Sequence, residues 1–244
     1  MLSKLKKYVL PLVFWLAVWN LCSSYVKSSF LLPSIDQTFI ALFELLKTEA
    51  FYKAVIFSTL RVIIGFVLGC ILGVVLSVVC KKIALINDIL SPMITVIRST
   101  PVASFIIVLW LLMDGNVLSV FIGFLMVMPI IWQSTNDAID AIDGGLLEVA
   151  KVYEFSKKKT FMLLILPTLK KFLLPAIVSS SGLAWKAEIA AEIIVYTKNS
   201  IGQGINNAKS LMETPTVFAW TLVIIVFSIF LEKGTKLFLG RVKK

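Results

Sequence analysis

Residues 55–80 read VIFSTLRVIIGFVLGCILGVVLSVVC and are followed at once by Lys81 and Lys82. About 20 predominantly apolar residues are enough to cross a bilayer as a helix, so this run is a membrane span. The two lysines mark where it leaves the hydrocarbon for water. Within it Gly65, Gly69 and Gly73 recur at every fourth residue and form one stripe of the helix surface. A stripe without side chains lets a second helix approach closely and gain van der Waals contact. Packing inside one subunit and contact between two copies both satisfy that pattern.

Working outward, the same reading gives further spans. An apolar stretch from 8 to 26 follows the basic opening Lys4, Lys6 and Lys7; it is long enough to span and has only a weak cleavage signature, so it is read as a retained helix. Residues 27–53 are more polar and contain an amphipathic piece, 35–46. The third apolar region starts near Ile83 but is interrupted by Asn87, Asp88, Pro92, Arg98 and Pro101, leaving 102–113 as its clean portion. Asp114-Gly115-Asn116 is a turn signal, and further spans are predicted over 117–132, 172–196 and 216–231. The fold class is an all-α integral membrane protein with six transmembrane helices. It divides into an N-terminal helix with an outer amphipathic segment, 1–53, and a core, 54–244.

Composition agrees. Of the 244 residues 59% are hydrophobic and only 16% charged, against about 25% charged in ordinary soluble domains. The net charge of +10 does not point to nucleic acid, because no long basic stripe with interleaved aromatics occurs. The basic residues are instead distributed by side. With both termini cytoplasmic, Lys4, Lys6, Lys7, Lys81, Lys82, Lys151, Lys157, Lys158, Lys159, Lys170, Lys171, Lys233, Lys236, Arg241, Lys243 and Lys244 fall inside. Lys27, Lys47, Lys53, Arg61, Lys198 and Lys209 fall outside, the bias that the positive-inside rule requires. Histidine is absent, which removes imidazole base chemistry and the commonest metal ligand. Cys22, Cys70 and Cys80 are odd in number and form no C-x-x-C, so no disulfide framework or zinc site is expected.

Ionisable residues inside spans are the candidate functional groups, since a charge facing lipid at mid-membrane costs about 2.5–3.5 kcal/mol. The fifth span carries Ser180, Trp185, Lys186, Glu188 and Glu192. Glu188 and Glu192 are one turn apart on one face, whereas Lys186 lies about 200° around the helix from Glu188 and must find any partner elsewhere. Arg98-Ser99-Thr100-Pro101 places polar groups and a missing backbone donor near the start of the third span. A translocation pathway or gate and a structural polar network both account for these residues.

The longest polar segment, 133–171, holds two short helices in its second half: one starting near Gly145 with Leu147, Ala150, Val152 and Tyr153 on an apolar face, and one capped by Ser156 and running to Pro167. Helices lying on the lipid surface and a docking surface for a cytoplasmic partner are the two readings. This stretch resembles the EAA loop of ABC-transporter permeases, whose pattern is E-A-A, three residues, G, nine residues, I-x-L-P. It falls without a gap on Glu148-Val149-Ala150, Glu154, Leu164 and Leu166-Pro167. Val149 replaces Ala, Leu164 replaces Ile, and Glu154 stands where the family has Gly. Gly permits a tight turn at little steric cost, so Glu154 leads us to expect a wider turn or one with ordinary φ/ψ values. The segments 98–105 and 190–192, the polar stretch 201–205, the six-span layout and the length are similar to the nitrate/sulfonate/taurine branch of importer permeases.

What the resemblance implies is the membrane subunit of an ATP-driven importer in the bacterial cytoplasmic (inner) membrane. Two permease subunits, a homodimer, would form the pathway in the lipid bilayer, and two cytoplasmic ABC ATPase subunits would dock on them. An extracytoplasmic substrate-binding protein would deliver the cargo. Glu148, Val149, Ala150, Tyr153, Glu154, Phe155, Leu166 and Pro167 would be the coupling residues within about 143–167, and ATP would be bound by the ATPase. The chain carries no G-x-x-x-x-G-K-[ST], no cofactor site and no nucleophile–base pair, so it is not expected to be an enzyme. The alternatives are a carrier using Glu188 or Glu192 as a proton or ion site, a membrane enzyme and a purely structural membrane protein; none explains the spacing of the inner segment.

Overall fold

The computed structural model describes residues 2–242, and the side-chain surroundings of 9–240. The basic clusters at 4–7 and 241–244 lie outside the latter range. Helices follow one another without a strand among the described residues: α1 Leu2–Val26, α2 Ile35–Leu46, α3 Glu49–Lys82, α4 Ala84–Ser99, α5 Val102–Trp110, α6 Gly115–Asp140, α7 Gly144–Val152, α8 Lys157–Thr160, α9 Leu166–Val195, α10 Ile201–Ser210 and α11 Thr214–Val242. A single π-helical turn, Phe161–Ile165, joins α8 to α9. Five helical stretches are long and apolar enough to cross a membrane. The pair α4–α5, bent by 104°, makes a sixth when taken as one broken span.

Local chemistry sets the element ends. Ser34 accepts from the Gln37 amide while the Gln37 side chain accepts from the Ser34 amide, a capping box that starts α2 at the predicted residue. Thr48 caps α3, Asp114 caps α6 and Asp143 caps α7, each through its side-chain oxygen. The break between α4 and α5 falls at Ser99-Thr100-Pro101: Pro101 disfavours helix at the residue before it, and Thr100 is extended at φ −85°, ψ 134°.

Three expectations are corrected. The helix capped by Ser156 does not end at Pro167; it runs through the π-turn into α9, so the fifth span starts at Leu166 instead of 172. A proline clashes with the carbonyl four residues back, and the wider turn ahead of Pro167 takes up that misfit without breaking the helix. Only α7 therefore stands as a separate short helix before the fifth span. The sixth span extends over Thr214–Val242 instead of 216–231. Arg61, counted with the outer residues, sits inside α3 and is buried.

The glycine stripe packs within the subunit. A Cβ on Gly65 would lie 2.5 Å from the Val120 carbonyl oxygen, one on Gly69 would lie 2.6 Å from Val127 Cβ, and one on Gly73 would lie 2.8 Å from Ile131 Cβ. All three contacts are on α6, so the missing side chains set how closely α3 and α6 cross. Gly123 returns the arrangement from α6: a Cβ there would lie 2.8 Å from Glu188 Oε2 of α9 and 3.7 Å from Gly65 Cα. Three helices thus meet at one point. The N-terminal segment is tied to α11 through the Trp19–Phe218 ring contact and a hydrogen bond from Thr214 Oγ1 to the Phe30 carbonyl, 2.7 Å.

These contacts separate two kinds of glycine. Gly69→Val is expected to destabilise the protein by at least about 1–3 kcal/mol, because backbone of α6 blocks relief. Gly234→Ala, in the exposed part of α11 with nothing within 4 Å of the new Cβ, is expected to be neutral or stabilising by about 0.5–1 kcal/mol. Thermal unfolding of the two variants in detergent checks the contrast; equal midpoints would sink it.

Candidate functional site

Ser58, Arg61 and Gly65 share one face of α3, so the seam that the glycines open toward α6 continues into polar groups. There Glu192 of α9 is fully buried and taken up by three donor groups. Ser58 Oγ lies 2.8 Å from both carboxylate oxygens, Arg61 Nη1 donates to Oε1 at 2.9 Å, and the Gly202 amide donates to Oε2 at 3.4 Å. Ser58 Oγ in turn accepts from the Ile201 amide, 3.0 Å. The carboxylate therefore sits at the N-terminus of α10, where unpaired amides and the helix dipole favour negative charge.

Arg61 uses the rest of its guanidinium to gather two more segments through three acceptors. Nη2 donates to Asn116 Oδ1 at 2.8 Å and to the Lys198 carbonyl at 3.0 Å, and Nη1 to the Asn199 carbonyl at 3.4 Å. The loop 196–200 is shaped to present those carbonyls: Tyr196 and Asn199 are left-handed at φ 53° and 48°, and Ser200 caps α10 by accepting from the Gln203 amide, 2.9 Å. Gly202 is the residue this approach requires, since a Cβ would meet Ile193 N at 2.5 Å. Asn206 Nδ2 closes the contact by donating to the Ile193 carbonyl at 2.7 Å. One end each of α3, α6, α9 and α10 is held at one guanidinium–carboxylate pair.

The intramembrane residues singled out from sequence fall into two groups. Trp185, Ser180, Glu188 and Glu192 point into the bundle and are buried. Trp185 Nε1 donates to the Ile224 carbonyl at 3.0 Å and its ring stacks on Phe227 of α11; Ser180 Oγ donates to the Ile177 carbonyl. Glu188 has no hydrogen-bond partner among the described residues. Lys186, Arg98, Ser99 and Pro101 face outward from the subunit, and Thr100 is half-buried. Arg98 Nη1 donates to Gln133 Oε1 at 3.3 Å, while Ser99 and Thr100 hydroxyls return to the Val96 carbonyl. The partner of Glu192 is thus Arg61, not Lys186 or Arg98. Sequence reasoning missed Arg61, Ser58, Asn116 and Gly202; the signal was that Ser58 and Arg61 continue the glycine face of α3.

On the opposite side, α7 begins at Asp143, whose Oδ1 accepts from the Gly145 amide at 2.8 Å. It buries Ala150 and leaves Glu148, Val149 and Tyr153 exposed. It ends in a Schellman pattern: the Phe155 amide donates to the Ala150 carbonyl at 2.8 Å and the Glu154 amide to the Lys151 carbonyl at 3.0 Å. Glu154 occupies the left-handed position of that motif at φ 50°. The expectation of a wider turn or ordinary φ/ψ values is corrected: the two hydrogen bonds impose on Glu154 the backbone that a glycine takes freely. Lys159 Nζ lies 3.9 Å from the centre of the Phe155 ring, which is half-buried, and Ser156 caps α8. Leu166 is half-buried and Pro167 exposed at the start of α9.

Arg61→Ala strands a buried carboxylate and is expected to cost about 3–5 kcal/mol, with Arg61→Ala/Glu192→Gln costing less than the sum of the single changes. Unfolding midpoints of the four proteins of that cycle check it, and additive losses would refute the pairing. Glu154→Gly removes a left-handed β-carbon and is expected to stabilise the turn by about 1 kcal/mol. Slower tryptic cleavage at Lys157–Lys159 would show it, and Glu154→Val should speed that cleavage.

With this geometry in hand, the relatives of the chain can be compared. Residues 62–244 match the family described as "Binding-protein-dependent transport system inner membrane component". The chain is 30% identical over 226 residues to a protein of Escherichia coli described as an aliphatic sulfonates transport permease, SsuC, covering 89% of this chain and 85% of that one. It is 22% identical over 225 residues to a protein of Methanocaldococcus jannaschii described as an ABC transporter permease, covering 90% and 84%. It is 28% identical over 141 residues to the nitrate import permease NrtB of Synechococcus elongatus, covering 57% and 50%. A chain with six apolar helical spans, one of them broken, and a family match over all but its first 61 residues belongs to the inner-membrane permeases of binding-protein-dependent ABC transport systems.

Proposed function

We propose that the chain forms the translocation pathway of an ABC importer together with a second copy of itself, and couples to two separate ATPase subunits through residues 143–167. Both termini lie in the cytoplasm in this reading, ATP is bound and hydrolysed by the ATPases, and a binding protein delivers the solute from the other side. The observation that carries it is the form of α7. A cytoplasmic helix that buries Ala150 but leaves Leu146, Val149, Val152 and Tyr153 exposed offers an apolar face with no cover in its own subunit. Glu148 stands beside that face, and the Glu154 turn and Phe155 fix its angle to α8. From α8 the chain continues through the π-turn, Leu166 and Pro167 into α9, the span that carries Glu192. A displacement of the docked face is therefore passed to the span across one hydrogen-bonded turn, 153–156.

The pathway and its gate are assigned to Arg98, Ser99, Thr100, Pro101, Ser180, Trp185, Lys186, Glu188 and Glu192. The exposed members would face the second copy, and the buried ones would hold α9 in register. Breaking of the third span at Thr100–Pro101 supports a wall there, since irregular backbone at membrane depth is tolerated where it meets protein or water.

Val149→Asp/Tyr153→Asp places charge on the exposed face of α7 without touching the buried Ala150. The double variant is expected to insert normally, to lose most of the ATPase recovered with the tagged chain from its native host, and to lose ATP-dependent uptake in reconstituted vesicles. Uptake that proceeds without ATP, or an unchanged ATPase yield, would overturn the coupling assignment.

A further inference from the structure

The 12 residues of α2 divide into three faces. At about 100° per residue, Thr38, Leu42 and Leu45 fall within about 60° of one another. Thr38 is fully buried there, and Leu42 and Leu45 pack against the hydrophobic core. About 100° round the helix stand Phe39, Phe43 and Leu46, all exposed. The third side carries Asp36, Gln37, Glu44 and Lys47, also exposed, with Ile40 among them. One face thus meets protein and one carries charge, which leaves an apolar face without cover in the subunit.

Contacts at its two ends fix how α2 lies. At the start, Trp19 Nε1 of α1 donates to the Pro33 carbonyl at 3.0 Å, and the Trp19 ring meets Phe218 of α11 at 5.7 Å. At the finish, Tyr52 Oη of α3 donates to the Leu46 carbonyl at 3.0 Å, and the neighbouring Phe51 ring stacks on Trp220 of α11 at 5.3 Å. Phe218 and Trp220 are about 3 Å apart along α11, against a length of about 18 Å for α2. The helix therefore runs across the ends of α1, α11 and α3, not along them. Glu49 and Lys53, an exposed ion pair at 2.7 Å on either side of Phe51, mark this depth as the edge of the hydrocarbon. The open face is also continuous with a span: from Leu46 it passes to Tyr52 and then along α3 through the exposed Ile56, Leu60 and Ile63.

We propose that α2 is an in-plane membrane anchor, with Phe39, Phe43 and Leu46 seated at the headgroup–acyl boundary of the leaflet at the Arg61–Glu192 end. Its partner is the lipid surface, held by apolar area and not by lipid charge. Asp36 and Glu44 against Lys47 leave α2 no cationic patch for anionic headgroups. Seated this way, α2 keeps the ends of α1, α3 and α11 at one depth, because it touches all three. The anchor does not depend on what the subunit transports.

The test uses the full chain in phosphatidylcholine nanodiscs, after Cys22→Ser, Cys70→Ala and Cys80→Ala. Phe39→Cys, Phe43→Cys, Leu46→Cys and Glu44→Cys are introduced singly and given a nitroxide label. Its collision rates with oxygen and with a neutral, water-soluble nickel complex are then measured. The oxygen-to-nickel ratio is expected to be about tenfold higher at positions 39, 43 and 46 than at 44. Replacing about a third of the lipid by phosphatidylglycerol should leave those ratios unchanged. Equal ratios at all four positions, with nickel arriving freely, would put the face in water and overturn the proposal. So would labels at 39, 43 and 46 that neither reagent reaches, which would place a second copy or another protein over the face. A contrast that appears only with phosphatidylglycerol would assign the seating to charge and overturn it as well. All four side chains are exposed, and gel filtration beside the unlabelled chain reports that the bundle is intact. Three positions on one face keep the result from resting on any single label. The measurement needs neither ATP nor uptake, so its outcome is separate from that of the coupling assignment.

Discussion

A charged pair withdrawn from water is tolerated only when both partners find most of their hydrogen bonds inside the protein, and Arg61–Glu192 meets that condition by recruiting other segments. The carboxylate uses a serine of α3 and one amide of α10; the guanidinium uses an asparagine of α6 and two carbonyls of the 196–200 loop. Each of those groups is polar and would itself be costly to bury alone. The pair and its surroundings are thus mutually required, and the order of four helices at this end of the bundle follows from satisfying one guanidinium. Bonds to ionised groups are also about twice as strong as neutral ones, which concentrates the holding force at that end.

Below the pair the bundle is held by a different kind of contact. Along the glycine stretch of the α3–α6 contact there are no charges, only absent side chains at Gly65, Gly69 and Gly73 and the apolar walls of Val127 and Ile131 set into them; the Ser77–Asn136 hydrogen bond and the Lys81–Asp140 ion pair follow beyond it. The glycine packing gains many small dispersion contacts and forms without desolvating anything polar. Gly123 extends the device to α9 and brings Glu188 against the crossing point. The upper end of the bundle is fixed by direction-specific bonds and the middle by shape.

Much of this was legible in the chain because membrane constraints act on single residues. Apolar length gives spans, a cap such as Ser156 gives a helix start, and a four-residue glycine period gives a contact face. What was not legible depends on partners far away in sequence. Arg61 reads as a residue near a span end until Glu192, 131 positions later, is seen to require it. The fate of the helix at Pro167 turned on whether the preceding turn could widen, which no residue type announces. Glu154 was legible as a departure from a glycine position, but its conformation was set by the carbonyls of Ala150 and Lys151, so the side chain changed while the turn did not. Of the intramembrane residues, sequence identified which were unusual; only the fold separated Trp185 and Glu188, turned inward, from Lys186, turned outward.

The unbroken run from Lys157 to Val195 has a mechanical corollary. Its 39 residues form a rod roughly 58 Å long, one tip of which adjoins the α7 turn while the other is clamped by Arg61. A rod gripped near one end turns a tilt of about 5° into a sweep of about 5 Å at the other, by arc length alone. The π-turn lies close to the tip beside α7, so flexing there shortens the arm very little. The amplitude of motion available to this subunit is then fixed by where the proline and its wide turn fall along the helix, before any question of what drives it.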